Sequence, residues 1–332
     1  MQLVPLKALV TGGGAVLGQG IIKALRGSSL KAEIIAVDPN PLSSGLYWAD
    51  RGCRIPMASQ PGYRDAIWEV VARENPDIIF VGTDVELSFF AEHRASLEAT
   101  FGTKVVVSDP RVVAIAEDKF DTFRFMQSKG FNPPASALPE ETVALSKLIE
   151  QVGFPLVVKP RIGARSAGVS VVHDKAALDR ALEGRRGLVV QECVGSDETE
   201  YTAGVVVFDG KTQASIVLRR DLRDGNTYRA YAGNYSALDE QVRAFGEALA
   251  PFGPANFQFR TDADGTARVF EINARFSGTT PMRAMLGFNE VEMCLRKLLY
   301  ETRIEQPQGR PGVILRYLQE MYVPEEQIAA VV

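Results

Sequence analysis

Short apolar runs, each closed by glycine, threonine, serine or aspartate, punctuate the first third of the chain. Leu6 to Val10 leads into Thr11-Gly12-Gly13-Gly14-Ala15-Val16-Leu17-Gly18, and a helical pattern follows through Leu25. Ile34 to Val37 ends at Asp38, Ile78 to Val81 at Gly82-Thr83-Asp84, and Val105 to Val107 at Ser108-Asp109-Pro110. Helical patterns lie between them, at Tyr63 to Glu74 and Glu86 to Ala99. Apolar strands alternating with helices predict a parallel sheet covered on both faces. Such sheets bind ligands beyond the carboxyl ends of their strands. This α/β block spans residues 1–112.

The pattern then changes. Val112 to Lys129 reads as one helix ending at Gly130, with a turn at Asn132-Pro133-Pro134. Thr142 to Val152 and Ala176 to Leu182 read as helices, and Phe154 to Lys159 and Gly187 to Glu192 as strands. They form a small α+β block, residues 113–190. From Tyr201 the chain reads as antiparallel hairpins. Thr202 to Phe208 returns through Asp209-Gly210 as Ala214 to Arg219, and Ala255 to Arg260 returns as Ala267 to Asn273. Helices are expected at Asp239 to Pro251, Pro281 to Leu286 and Asn289 to Tyr300, with a late strand from Val313 to Leu318. The third block is residues 191–332.

Composition narrows the function. The 332 residues are 46% hydrophobic and 23% charged, with a net charge of -4. That is a globular composition without a basic footprint for nucleic acid or anionic membrane. Cys53, Cys193 and Cys294 stand far apart, and His93 and His173 are the two histidines. This argues against a disulfide framework, a zinc site or a histidine-rich metal centre. The N-terminus has too short an apolar run for a signal peptide, and the expected location is the cytoplasm.

Candidate chemistry lies at strand ends. Glu271 and Asn273 share one strand face, Arg275 continues it, and Gln258 lies on the paired strand. A carboxylate and two amide oxygens suit a hard divalent cation carrying phosphate, and the guanidinium suits the phosphate itself. Lys159 closes an apolar strand beside a loop with Gly163, Arg165, Ser166 and Gly168, a set able to surround an anion. Glu192, Cys193 and Val194 end another strand in an extended hinge, whose backbone can meet an adenine edge, and Glu200 follows. Each piece also has a plain structural reading, as a salt-bridged strand end, a hairpin tip or a surface turn. Asp84 and Glu86 follow the third apolar run, where they either read a substrate or cap a helix. Arg219 either pairs with a substrate carboxylate or ends a solvated hairpin. Thr11 to Gly18 with Asp38 resembles a dinucleotide fingerprint.

Taken in order, these motifs resemble an ATP-grasp enzyme, of the single-unit type related to the carbamoyl-phosphate synthase large chain. The resemblance runs through Asp118-Lys119, Val157-Val158-Lys159-Pro160, Gly163-x-Arg165-Ser166-x-Gly168, Gln191-Glu192, Glu200-Tyr201-Thr202, Asn256-x-Gln258 and Phe270-Glu271-Ile272-Asn273-x-Arg275. It implies an ATP-grasp fold behind a Rossmann-like pre-ATP-grasp domain. It implies that Lys119 and Lys159 hold nucleotide phosphates and that Gly163 to Gly168 closes over the γ-phosphate. Glu192, Cys193 and Val194 match the adenine hinge, and Glu200 the acid near ribose and phosphates. Gln258, Glu271 and Asn273 match ligands for one or two Mg2+ ions, with Mn2+ able to substitute. Gln258 stands where many relatives carry glutamate. Arg275 matches the arginine on the transferred phosphate. The implied reaction joins a small-molecule carboxylate, activated as an acyl phosphate, to an amine. A single unit without a glutaminase segment argues against full carbamoyl-phosphate synthesis. The resemblance is compatible with a homodimer. An ATP-binding regulatory module, a small-molecule kinase and an NAD-dependent enzyme are the competing expectations.

Overall fold

The computed structural model describes residues 6–163 and 166–331. Arg165 lies outside the described residues. The first block contains β1 (Leu6–Val10), α1 (Val16–Arg26), β2 (Ala32–Asp38), α2 (Ser44–Trp48), β3 (Arg51–Arg54), α3 (Tyr63–Glu74), β4 (Ile78–Phe80), α4 (Leu87–Phe101) and β5 (Lys104–Val106). The strands make one sheet in the order β3-β2-β1-β4-β5, and every pair is parallel. The order reverses between β1 and β4, so the loops after them lie side by side. Their approach is backbone on backbone. A Cβ on Gly82 would meet the Thr11 carbonyl at 2.0 Å, and one on Gly18 would meet the Gly12 carbonyl at 2.1 Å. Asp38 is consumed within the block. Its carboxylate accepts from the Gly14 amide at 2.7 Å, the Asn40 amide at 2.9 Å and the Ser43 hydroxyl at 2.6 Å. An acid held this way is poorly placed to bind a ribose, which weakens the dinucleotide reading.

The helix expected over 112–129 is two helices, α5 (Pro110–Glu117) and α6 (Lys119–Ser128). Asp118 breaks it. That residue is extended, and its carboxylate caps the amides of Phe120 at 2.8 Å and Asp121 at 3.3 Å. Val112, Phe125 and Met126 from this pair share a core with the last block.

The small block holds β6 (Ser136–Ala137), α7 (Thr142–Val152), β7 (Leu156–Pro160), β8 (Ser170–Val172), α8 (Lys175–Leu182) and β9 (Leu188–Glu192). Its sheet, β6-β9-β7-β8, is antiparallel. Its core is its own, built on Leu148, Leu156, Val158, Leu178 and Val190. Strand β9 pairs with β7 as far as Glu192, so a divide at residue 190 would cut that strand.

The last block holds β10 (Glu200–Phe208), β11 (Lys211–Arg223), β12 (Asn226–Ala232), α9 (Ser236–Leu249), β13 (Gly253–Thr261), β14 (Ala267–Asn273), α10 (Thr280–Met285), α11 (Glu290–Tyr300), β15 (Gly312–Leu315) and α12 (Glu325–Ala329). Its six strands run β14-β13-β10-β11-β12-β15, all antiparallel. Helix α9 covers one face through Leu238, Val242 and Phe245. Residues of the other face share a core with the first block, where Phe276 meets Phe80 edge-on at 5.6 Å. Among the described residues no helix is long and apolar enough to cross a membrane.

A buried ion pair fixes α10 and α11 to this sheet. Arg283 and Glu290 are both 0% exposed and bond at 2.7 and 3.0 Å. The same guanidinium donates to Asn256 and Thr279. Gly204 on β10 makes room, since a Cβ there would lie 2.7 Å from Arg283 Nε. Glu290→Ala leaves a buried cation without its anion. It should cost about 3–5 kcal/mol, read as a lower urea midpoint at unchanged m-value; a loss below about 1 kcal/mol would contradict this account.

Candidate active site

Strand register decides which side chains meet. Thr202 pairs with Gln258, Gln258 with Glu271, and Asn256 with Asn273, so all five face one side of the sheet. Glu200 and Arg260 continue that side. Between Gln258 and Glu271 on one hand and Phe259 and Val269 on the other, a bulge leaves Phe270 unpaired. Its carbonyl accepts from Lys159 Nζ at 3.2 Å.

Two clefts open over these residues. The first, about 230 Å³, lies between the small antiparallel sheet and the six-stranded sheet. Lys159, Gly163, Ser166, Glu192, Cys193, Val194, Glu200, Gln258 and Glu271 line it. Apolar walls come from Val157, Val171, Leu222 and Phe270. Gly168 is not in the wall; its carbonyl accepts from Arg185 at 3.1 Å where the loop returns. The second cleft, about 600 Å³, lies between the six-stranded sheet and the loops after β1 and β4. Asp84, Asn273, Arg275, Ser277, Thr279 and Arg316 line it. Both clefts share Lys119, Gly163, Arg220, Gln258 and Glu271, so they meet at one junction.

Each cation at the junction has a provisional partner. Lys119, first residue of α6, donates to the Gly163 carbonyl at 2.8 Å, and its amide donates to Arg161 O at 3.0 Å. Lys159 donates to Gln191 Oε1 at 2.7 Å. Arg220 donates to Glu200 Oε1 and Gln258 Oε1, both at 2.8 Å. Arg275 bonds Asp84 at 2.6 Å and Asn273 Oδ1 at 2.8 Å. Glu200 is held from both sides, since Arg260 takes Oε2 at 2.9 Å. Glu192 spends its carboxylate on the Ala135 amide at 2.9 Å and Arg268 at 2.7 Å. That leaves the hinge backbone to face the cleft.

Parts of this chain match three family models. Residues 116–246 match the RimK-like ATP-grasp domain. Residues 185–321 match the family described as ATP-grasp in the biosynthetic pathway with Ter operon. Residues 9–121 match the PylC-like N-terminal domain. The carbamoyl phosphate synthase large chain of Gemmatimonas aurantiaca is 24% identical over 328 residues, covering 90% of this chain and 29% of that protein. The chain thus spans under a third of that relative. The ADP complex of N5-carboxyaminoimidazole synthetase from Staphylococcus aureus superposes with a TM-score of 0.76 at 14% identity, covering 94% of this chain and 82% of that one. L-amino acid ligase from Bacillus licheniformis gives a TM-score of 0.67 at 19% identity, covering 89% and 74%. The chain has the ATP-grasp fold, and residues 116–321 are spanned by the two ATP-grasp family matches.

Two expected substrate contacts fall elsewhere in this ATP-grasp fold. Arg219 pairs in register with Tyr201, on the face covered by α9. There it bonds Asp221 at 2.8 Å and lies 3.7 Å over the Tyr231 ring. Its neighbour Arg220 takes the cleft face, because adjacent strand residues point to opposite sides. Glu86 is buried and accepts from the hydroxyls of Thr11, Tyr63 and Thr83 at 2.6–2.7 Å. Burial raises its pKa, and it braces the first block away from the cleft. Asp84 does reach the cleft, paired with Arg275. Arg220, Gln191 and Arg316 were not anticipated. The strand alternation through Leu218 and Arg220 was the signal for the first of these.

The trio of proposed ligands fits a divalent cation by the chemistry of its donors. Gln258 Nε2 and Asn273 Nδ2 approach the same oxygen, Glu271 Oε1, at 3.4 and 3.1 Å. Their oxygens accept from Arg220 and Arg275 at 2.8 Å, so a cation taking them would release both guanidinium groups and gain one carboxylate and two neutral oxygens. That is a hard set which phosphate oxygens and water would complete.

Lys159 is the titrating group of this site. Desolvation pulls its pKa from 10.5 to about 7, Glu271 opposes the fall, and Lys119 adds to it. Below pH 7 the buried charge costs stability in full. The cost fades as the pH rises through 7 toward 10.5, where the unfolded chain holds more protons. A bound phosphate reverses the preference and draws a proton in. ADP affinity should therefore fall by about tenfold per pH unit above 7, with proton uptake measured calorimetrically in buffers of different ionisation enthalpy. Lys159→Met should flatten the slope; a flat wild-type profile would refute the role.

Proposed function

We propose that this protein is an ATP-dependent carboxylate–amine ligase. The observation that carries this is the junction. A narrow cleft with apolar walls and two lysines, Lys119 and Lys159, opens directly into a wider cleft, across Lys119, Arg220, Gln258 and Glu271. A nucleotide in the first would place its γ-phosphate beside an acid in the second.

Bringing a carboxylate to a triphosphate sets two anions against each other. Lys119, Lys159, Arg220 and Arg275 offset that repulsion in a site of reduced dielectric. Magnesium is the proposed ion on Gln258, Glu271 and Asn273, as one or two ions with manganese able to substitute, and it would supply further charge neutralisation at the phosphates. The acid's oxygen attacks the γ-phosphorus, the bond to ADP breaks, and an acyl phosphate forms. An amine then attacks the carbonyl carbon and phosphate leaves, giving an amide. Gly163 and Ser166 border the first cleft, and an acyl phosphate formed there would need shielding from water. No protein nucleophile is required. A wide cleft of about 600 Å³ favours an organic acid larger than bicarbonate. The three cysteines are unpaired, which suits a reducing compartment, and the cytoplasm is the proposed location.

A hydroxylamine trap tests this reading. Protein, magnesium and ATP are mixed with a panel of small acids, amino acids, dipeptides and uronic acids. Hydroxamate with matching ADP release is expected for the right acid. ADP with a stable phosphorylated product would instead support a kinase, and no hydroxamate from any acid would remove the ligase reading. Arg220→Ala should lower turnover by about 10²-fold or more, while Arg219→Ala stays within about twofold of wild type. Equal losses in the two variants would contradict the cleft assignment. Glu271→Ala should abolish turnover, because the trio loses its sole carboxylate; wild-type rates would refute it.

A further inference from the structure

Two arginines along the second cleft already have carboxylate partners. Arg275 pairs with Asp84, and Arg220 with Glu200. Arg316 differs. It directly follows β15, and its amide is tied to Tyr228 O at 2.9 Å. Its guanidinium crosses to the cleft wall and donates to the Gly278 carbonyl. Among the described residues no carboxylate pairs with it, and burial alone pulls its pKa below the usual arginine value. A Cβ on Gly278 would make only ordinary contacts, 3.4 Å from Val16 Cγ1 and 4.0 Å from Arg316 Nη2, in the gap between the sheet and the start of α1. Burial lowers the pKa of Lys23 on α1, and the Arg316 charge adds to the fall.

Position gives this arginine a role separate from chemistry. A reacting carboxylate belongs at the junction, which both clefts share. Arg316 lines the second cleft alone. Val16, Val85 and Val113 supply apolar wall in the same cleft. A half-buried guanidinium held by a carbonyl, with no carboxylate beside it, is a costly feature unless an anion completes it. We propose that Arg316 binds a second carboxylate on the acid substrate, so that the acid is a dicarboxylate whose apolar body lies along the valines. This rests on the ligase reading and names its substrate class.

Because hydroxylamine replaces the amine, trapping isolates recognition of the acid. The rate of hydroxamate formation is measured for matched pairs: glutarate and pentanoate, adipate and hexanoate, suberate and octanoate. Wild-type protein should favour a diacid over its matched monoacid by about tenfold or more in kcat/KM, mainly through KM. Arg316→Ala should bring that ratio near one, and Arg316→Lys should restore part of it. Equal use of both acids by the wild type, or an unchanged ratio in Arg316→Ala, would overturn the inference while leaving the ligase reading intact. The second outcome includes the case in which the extra carboxylate belongs to the amine. No hydroxamate from any acid, in these pairs or the wider panel, would sink both.

Discussion

The structure is organised around a crowding of positive charge at the seam between two clefts. Lys119, Lys159, Arg220 and Arg275 line the two clefts that share Glu271, and each is held by a partner that an anion could replace. The partners are carbonyls, amide oxygens and carboxylates drawn from all three blocks of the chain. Asp84 comes from the first, Gln191 from the small sheet, and Glu200 and Asn273 from the six-stranded sheet. Such contacts keep the cations ordered and desolvated, as the proposed binding of phosphate would require. Interactions of that kind need little reorganisation at the moment of reaction. Burial pushes the Lys159 pKa down to about 7 although Glu271 opposes the fall, because desolvation disfavours the charged form.

The rest of the fold serves this seam. The first and last blocks share a core, which fixes the loops after β1 and β4 against the sheet. The Arg283–Glu290 pair, passing under Gly204, sets Asn256 and Thr279 at the base of the second cleft. The small sheet has its own core and reaches the seam through Lys159, Gln191 and the loop that follows β7. Lys119 joins these parts. It begins a helix packed on the large sheet, yet it bonds the loop of the small one.

Much of this was legible in the chain itself. Period-two spacing put Glu271 and Asn273 on one face, and a plausible hairpin brought Gln258 to them; the register places all three together. Parity misled at Arg219, where a one-residue difference turns a cleft residue into one packed beside Tyr201. Glu86 looked like a polar strand-end residue, but three hydroxyls capture it inside the first block. The break at Asp118 was hidden because the apolar pattern continues through it, while the side chain caps a new start. Strand β12 has no clear apolar alternation and was missed, and so were the short α2 and β3. Arg316 could not be found from spacing, since it reaches the cleft only through the pairing of β15 with β12.

The central claim is that a carboxylate oxygen attacks the γ-phosphate at the seam. The most direct test uses an acid labelled with 18O in its carboxylate, followed by 31P NMR of the phosphate released in the complete reaction with an amine. The account predicts one 18O atom transferred to phosphate per turnover, seen as the upfield isotope shift. Unlabelled phosphate formed together with amide would contradict it, because the acid would then have been activated without attacking the γ-phosphorus.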